Sequence, residues 1–299
     1  MNGEDSPHAG EPALGLPASS FNTPAVPPVL PAEKPRVARW RWWIHLLLIG
    51  SYPLLLGLAA IGPMEREGPA LTGGARGVLI LSAVELSIFG VIFAVGWFAS
   101  RATREELLLP WRPGFWVVPL GIGYSIAIRL AAGVAVLALL LVLMITGIVP
   151  KNEVEQFTIE NRPQVEAVVD IPAMKNDPAY FWLTLTLVSF VVAGLREELW
   201  RSGFIAGMRA LWPRTFGSRF GQIGAVAIGA VIFGLAHMPM GGLAVVITGI
   251  LGFCLGVIMV LHRSIWPAVI AHGVFDATTF ALLPWIMDFL RDAQKAIGH

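Results

Sequence analysis

"FWLTLTLVSFVVAGLREELWRSG", residues 181–203, is an uncharged apolar run that ends in Arg196, Glu197, Glu198 and Arg201. A helix needs about 20 apolar residues to cross ~30 Å of hydrocarbon. The run from Phe181 to Gly194 reaches that length only if the charged turn belongs to the same span. A charge at the bilayer centre costs roughly 3 kcal/mol or more, so charges placed there must find partners.

The rest of the chain sets the context. Of 299 residues, 56% are hydrophobic and 14% charged, whereas a soluble domain carries roughly a quarter charged residues. The apolar residues fall in long blocks, which identifies an integral membrane protein: an all-α, polytopic transmembrane helix bundle. Candidate spans are 43–62, 78–99, 115–148, 179–200, 221–237, 242–262 and 265–288, about seven in all. The third is long enough to be tilted or broken. Residues 1–38, rich in proline from Pro7 to Pro35, form an expected disordered cytoplasmic tail. Residues 39–177 hold the N-terminal spans and an acidic external loop, 178–290 a transmembrane core that carries polar insertions, and 291–299 a C-terminal tail.

The net charge is +1 and no basic face appears, which excludes nucleic acid as a partner. The single cysteine, Cys254, lies in an apolar segment and reads as a small buried hydrophobe. No intramolecular disulfide and no cysteine-based zinc motif can form. Lys and Arg collect in "KPRVARWR" (34–41), 100–114 and 201–220, whereas 149–178 collects Glu153, Glu155, Glu160, Glu166, Asp170 and Asp177. The positive-inside rule then places the N-terminus in the cytoplasm and the acidic loop outside. Trp40, Trp42 and Trp43, among arginines, read as an interfacial anchor. Glu85 and Arg129 each lie ~21–23 Å from the cytoplasmic ends of their helices, which predicts an ion pair between them.

Three polar insertions interrupt the apolar C-terminal half. In "REELWR" (196–201), Glu197 and Arg201 are i,i+4 neighbours and Glu198 is turned by ~100°. In "FGLAHMP" (233–239), Phe233 and His237 share that spacing, as do His272 and Asp276 in "HGVFD" (272–276). Each element alone has an ordinary structural reading, such as a helix contact or a solvated ion pair. Together, on successive spans, they predict one shared polar pocket. A carboxylate beside an imidazole can take a proton from water, and donors aimed at a developing oxyanion stabilise a tetrahedral intermediate. No serine or cysteine accompanies the histidines in a nucleophile motif, which favours activated water over a covalent intermediate.

These motifs resemble those of the CPBP intramembrane proteases, which include CAAX prenyl endopeptidases and bacterial bacteriocin-processing or immunity proteins. The resemblance covers about a third of the chain, through "REELWRSGF", "FGLAHMP" and "AHGVFD". It implies that Glu197 and His237 activate the hydrolytic water, and that His272 and Asp276 support the oxyanion. It assigns Glu198 and Arg201, with Phe233, to holding the site together. The family's first motif has one more spacer before its arginine. Aligning on the glutamates makes Glu197 the leading acid and puts Ser202 at the arginine position; aligning on Arg201 makes Glu197 the second acid. Asp276 stands where the prenyl-protease branch has Asn. An ionised Asp only accepts hydrogen bonds, whereas a protonated one donates.

Glu197, His237, His272 and Asp276 would also make an N/O ligand set for zinc or another divalent ion. There is no HExxH pair, and water activation by Glu and His needs no ion, so no cofactor is favoured. Straight helices would leave His272 shallower than Glu197. Either the turn at 213–219 projects into the cytoplasm, or "MPMGGLAV" (238–245) is irregular. The expected protein is an endopeptidase of a bacterial inner membrane, acting on a peptide or protein substrate at the lipid bilayer. The alternative is a non-catalytic binding or immunity protein. A transporter built from repeated halves is disfavoured, because the motifs occur once.

Overall fold

With no water in hydrocarbon to satisfy backbone N–H and C=O groups, an apolar run that crosses a membrane must bond to itself, and helix is the result. A computed structural model describes residues 37–61 and 68–297. The predicted tail 1–38 lies outside the described residues except for Val37 and Ala38, as does residue 62 at the end of the first predicted span. The helices are α1 (Arg39–Ile61), α2 (Gly74–Ser100), α3 (Val117–Ile145), α4 (Val154–Asn161), α5 (Ile171–Asn176), α6 (Pro178–Leu183), α7 (Arg196–Leu211), α8 (Pro213–Phe216), α9 (Arg219–Ala236), α10 (Gly242–His262) and α11 (Trp266–Ile297). There is no strand among the described residues; an isolated bridge joins Leu71 to Val169.

Six helical stretches among the described residues are long and apolar enough to cross a membrane. They coincide with all the predicted spans but the first, which corresponds to α1. The long third span is one unbroken helix of 29 residues, about 43 Å in length. α11 continues to Ile297, through most of the segment set apart as a C-terminal tail. Large apolar side chains face outward at Phe98, Leu130, Ile145 and Trp285. Such exposure suits a lipid-facing surface.

The fourth span departs from a regular α-helix. Asp177 caps α6, accepting from Ala179 N and Tyr180 N at 3.0 and 3.1 Å. Residues Thr184–Leu195 then form a π-helix that hands over to α7 at Arg196. Ser189 Oγ donates to Thr184 O at 2.9 Å, the five-residue reach of that wider coil. π-turns are rare and cluster at functional sites. α11 packs closely on this segment at Gly273, where a Cβ would stand 2.2 Å from the Phe190 ring.

Contacts between the connections divide the helices into two ends. At one, Arg39 Nη2 donates to Leu211 O at 3.1 Å, and Trp266 Nε1 to Leu109 O at 2.9 Å. At the other, Gln164 N donates to Met240 O at 3.0 Å and Leu71 N to Val168 O at 2.8 Å. The irregular stretch expected after α9 is present and short. Met238–Met240 is a 3-10 turn, and Gly241 follows at φ +106°, a conformation few residues but glycine adopt. This turn puts His237, at the C-terminus of α9, near the second end.

Apolar clusters surround the centre. α1, α2, α7 and α9 share Ile49, Phe89, Trp200, Phe204 and Phe233. α3, α10 and α11 share Ile128, Leu251, Leu255 and Val269. The α1–α2 connection, the segment before α6 and α6 itself join α11 through Leu71, Val169, Tyr180 and Phe280.

Candidate active site

The π-helix ends where the charges begin, so all four emerge from the first two turns of α7. They divide by face. Arg196 and Glu197 point to one side: Arg196 Nη2 donates to Glu197 Oε1, and Arg196 Nη1 to Glu85 Oε2, both at 3.0 Å. The same Nη1 lies 3.4 Å from the Tyr52 hydroxyl. Glu198 and Arg201 point inward, and form a fully buried ion pair.

Glu197 and Arg201, i,i+4 neighbours in the sequence, do not pair: Arg201 meets Glu198 across three residues, a spacing that also brings side chains together on a helix. One predicted pairing is corrected: Glu85 pairs with Arg196 instead of Arg129. α2 packs on α1, the π-helix and α7, whereas α3 packs on α10 and α11, so equal depth did not make Glu85 and Arg129 neighbours. Arg129 instead donates to Phe275 O and the Thr278 hydroxyl, and to Thr279 Oγ1 at 3.3 Å. Its guanidinium lies 4.2 Å from the Phe275 ring centroid, a cation–π distance.

His272, on α11, is the hub. Its Nδ1 lies 3.1 Å from Glu198 Oε1, while Nε2 faces Glu197 Oε2 at 3.7 Å and Asp276 Oδ2 at 3.6 Å. Beneath it, the Arg201 guanidinium lies 4.8 Å from the Phe233 ring centroid. Phe233 also stands edge-on to His272, with ring centroids 6.5 Å apart, and packs on His237 at 4.6 Å. His237 Nδ1 lies 2.8 Å from Phe233 O. A carbonyl can only accept, so Nδ1 carries the proton and neutral His237 keeps its lone pair on Nε2. Ser202, the arginine position in one alignment, is buried and donates to Leu199 O at 2.9 Å.

A cavity of about 480 Å³ opens among α2, α3, α7, α9, α10 and α11. Glu197, His237, His272 and Asp276 all line it, together with Glu85 and Arg129. A second cavity of about 170 Å³ lies toward α1, lined by Tyr52, Pro53 and Leu56. Glu197 and His237 line both cavities, and Glu198 and Arg201 line neither. The Glu197 side chain is 16% exposed, Asp276 19% and Glu198 0%.

The larger cavity is covered by Leu71, Pro163, Val165, Val168 and Met240. Tyr180 pins this cover: its hydroxyl donates to Leu71 O at 2.7 Å and accepts from Asp170 N at 2.8 Å. An Arg162–Glu166 ion pair spans one turn of it. Burial works to raise the Glu166 carboxyl, but the hydrogen bond and charge of Arg162 outweigh it and hold Glu166 below the usual carboxylate range. Asp177, which accepts from Tyr180 N and from two further backbone N–H groups, is held low as well.

Among the described residues, no group of three or more His, Cys, Asp or Glu side chains is arranged to hold a metal ion. The Nδ1 of His237 is committed to Phe233 O.

Sequence reasoning gave no role to Arg196, which orients Glu197. Its signal was present: a fourth charge in the motif, with Glu85 an acidic residue in an otherwise apolar span.

Comparison with curated proteins and with solved structures gives no match. Residues 179–278, which run from α6 into α11 and supply Glu197, His237, His272 and Asp276, match the family described as type II CAAX prenyl endopeptidase Rce1-like, a CPBP family of intramembrane proteases.

Proposed function

We propose that the protein is an intramembrane endopeptidase whose hydrolytic water is activated by Glu197 and His237. One observation carries this reading: these two side chains, with Arg196 and Phe233 beside them, line both cavities, while Glu198 and Arg201 line neither. Glu197 has one carboxylate oxygen held by Arg196 and the other turned toward His272. It takes a proton from the water as the oxygen attacks the scissile carbonyl carbon. His237 accepts a hydrogen bond at its free Nε2 from the water's other O–H, which stays intact, and so holds the water in line. Collapse of the tetrahedral intermediate breaks the C–N bond, and Glu197 returns the proton to the leaving amine. The products are a carboxylate and an amine.

His272 and Asp276 occupy the far side of the reacting carbonyl. With both ring nitrogens protonated, His272 donates from Nδ1 to Glu198 and offers Nε2–H to the oxyanion. Glu198 and Arg201 hold that ring in place. No ion is needed for these steps, and cleavage is expected to survive chelation. The N-terminus lies in the cytoplasm of a bacterial cell, and the partner is a protein substrate in the same membrane.

The test is to compare protein termini in membranes of cells carrying the wild type or Glu197→Gln. Termini that vanish in the variant, with the protein still accumulating, are expected. Identical termini would favour a non-catalytic binding protein.

A further inference from the structure

The larger cavity belongs to one side of the bundle. Its α10 lining runs only from Ala244 to Leu251, the half that follows the α9–α10 turn. Its cover comes from the α1–α2 connection, the segment before α6 and Met240. None of the described residues in the opposite connections, 101–116, 212–218 and 263–265, lines it. Toward that opposite end α10 is buried at Leu255, Ile258 and Met259, and the Glu198–Arg201 pair closes the space beneath His272.

The two ends differ in charge. Among the described residues, the closed end carries Arg39, Arg41, Arg101, Arg104, Arg112, Arg214, Arg219 and Arg263. Among the described residues, the covered end carries Arg76, Lys151, Arg162, Lys175 and Arg291. Three of these already face carboxylates: Arg162 meets Glu166, while Lys175 and Arg291 both meet Asp288. Short connections rich in Lys and Arg stay in the cytoplasm, so the closed end is cytoplasmic and the cavity faces away from it.

Resting on the protease reading, we infer that the site is served from the extracytoplasmic face. Its substrate is a membrane-anchored segment of an exported protein, with the scissile bond between the bilayer midplane and the outer interface. A lipid-modified tail presented from the cytoplasm would meet the closed end. The segment 163–168 must swing aside, because Val165 and Val168 cover the space that a peptide would occupy.

Single cysteines test the side without using activity. Cys254 is the sole native cysteine, so Cys254→Ala gives a clean background; Lys151 and Arg104 are both exposed. In intact bacterial cells a membrane-impermeant maleimide should label Lys151→Cys as fully as in lysed cells, and Arg104→Cys only after lysis. The reverse pattern, or equal labelling of the two in intact cells, overturns the assignment. The substrate is tested by mapping termini lost in Glu197→Gln cells. They should fall on the extracytoplasmic flank of membrane anchors, and termini in cytoplasmic tails would overturn the inference. Identical termini alongside the expected labelling would sink the protease reading and the substrate class together while leaving the side assigned.

Discussion

Glu198 Oε1 lies 3.1 Å from His272 Nδ1, a contact that joins the first turn of α7 to α11 at the floor of the cavity. Glu198 reaches Arg201 through its other oxygen, so one fully buried carboxylate serves two cations or donors. Removing one member of a buried pair leaves the other charge without compensation, at a cost of about 3–5 kcal/mol. Glu198→Ala and Arg201→Ala should each lose that much stability, and the double variant much less than the sum. Thermal denaturation in detergent measures all three; additive losses would show that the two side chains do not act as a unit.

Arg196 bridges Glu85 and Glu197 through separate nitrogens, each at 3.0 Å. A lysine keeps the charge but cannot reproduce a planar two-pronged donor. Cleavage should therefore fall in the order wild type, Arg196→Lys, Arg196→Ala, the last by roughly 10- to 100-fold, as expected when a catalytic carboxylate is misplaced. Glu85→Gln should cost less, because it leaves the Glu197 contact intact. Rates measured on one processed substrate decide the order, and full activity in Arg196→Ala would remove it from the site.

The positions of Glu197, His237, His272 and Asp276 were legible because charges in apolar helices are rare and their helical spacing is visible in one dimension. Their partners were not. Distance along a helix gives depth in the membrane but not the direction around the bundle, so Glu85 and Arg129 could be placed at one level and still fall on separate walls. The π-helix at Thr184–Leu195 was also hidden, since "TLTLVSFVVAGL" reads equally well as ordinary apolar helix. The cover over the cavity escaped for a different reason. Val165 and Val168 sit in a stretch that also holds Arg162, Glu166 and Asp170, and its docking on Leu71 and Met240 depends on contacts distant in sequence.

Close packing of α11 on the π-helix makes a separate prediction. A Cβ at residue 273 would overlap the Phe190 ring, and overpacking of this kind costs about 1–3 kcal/mol. Gly273→Ala should lower the melting temperature, and Phe190→Ala in the same chain should recover part of the loss. The compensation distinguishes a steric effect from a general intolerance of change next to His272.

The Arg162–Glu166 pair gives the cover a pH dependence. Glu166 is held below the usual carboxylate range in the folded protein, so its contribution is present above the unfolded value of about 4.3. It is lost as the pH falls through the lower, folded value. Both side chains are partly exposed, which limits the effect to less than about 1 kcal/mol. Hydrogen exchange of amides 161–169 should quicken at acidic pH after correction for the intrinsic rate. In Glu166→Gln the quickening should already be present at neutral pH and vary little below it.

Asp276 separates two ways of stabilising the oxyanion. Its Oδ2 lies 3.6 Å from His272 Nε2, too long for a hydrogen bond but close enough for both groups to face one substrate oxygen. If Asp276 acts as a donor, its proton is the working part, and an amide of the same shape supplies an N–H in its place. Asp276→Asn should then keep activity within about tenfold of wild type, while Asp276→Ala should lose roughly 10²–10³, the range for removing one oxyanion donor. If the carboxylate instead works by its charge on His272, Asn will fail as badly as Ala. Cleavage rates of the Asn and Ala variants, measured side by side with the wild type on one substrate, resolve the two.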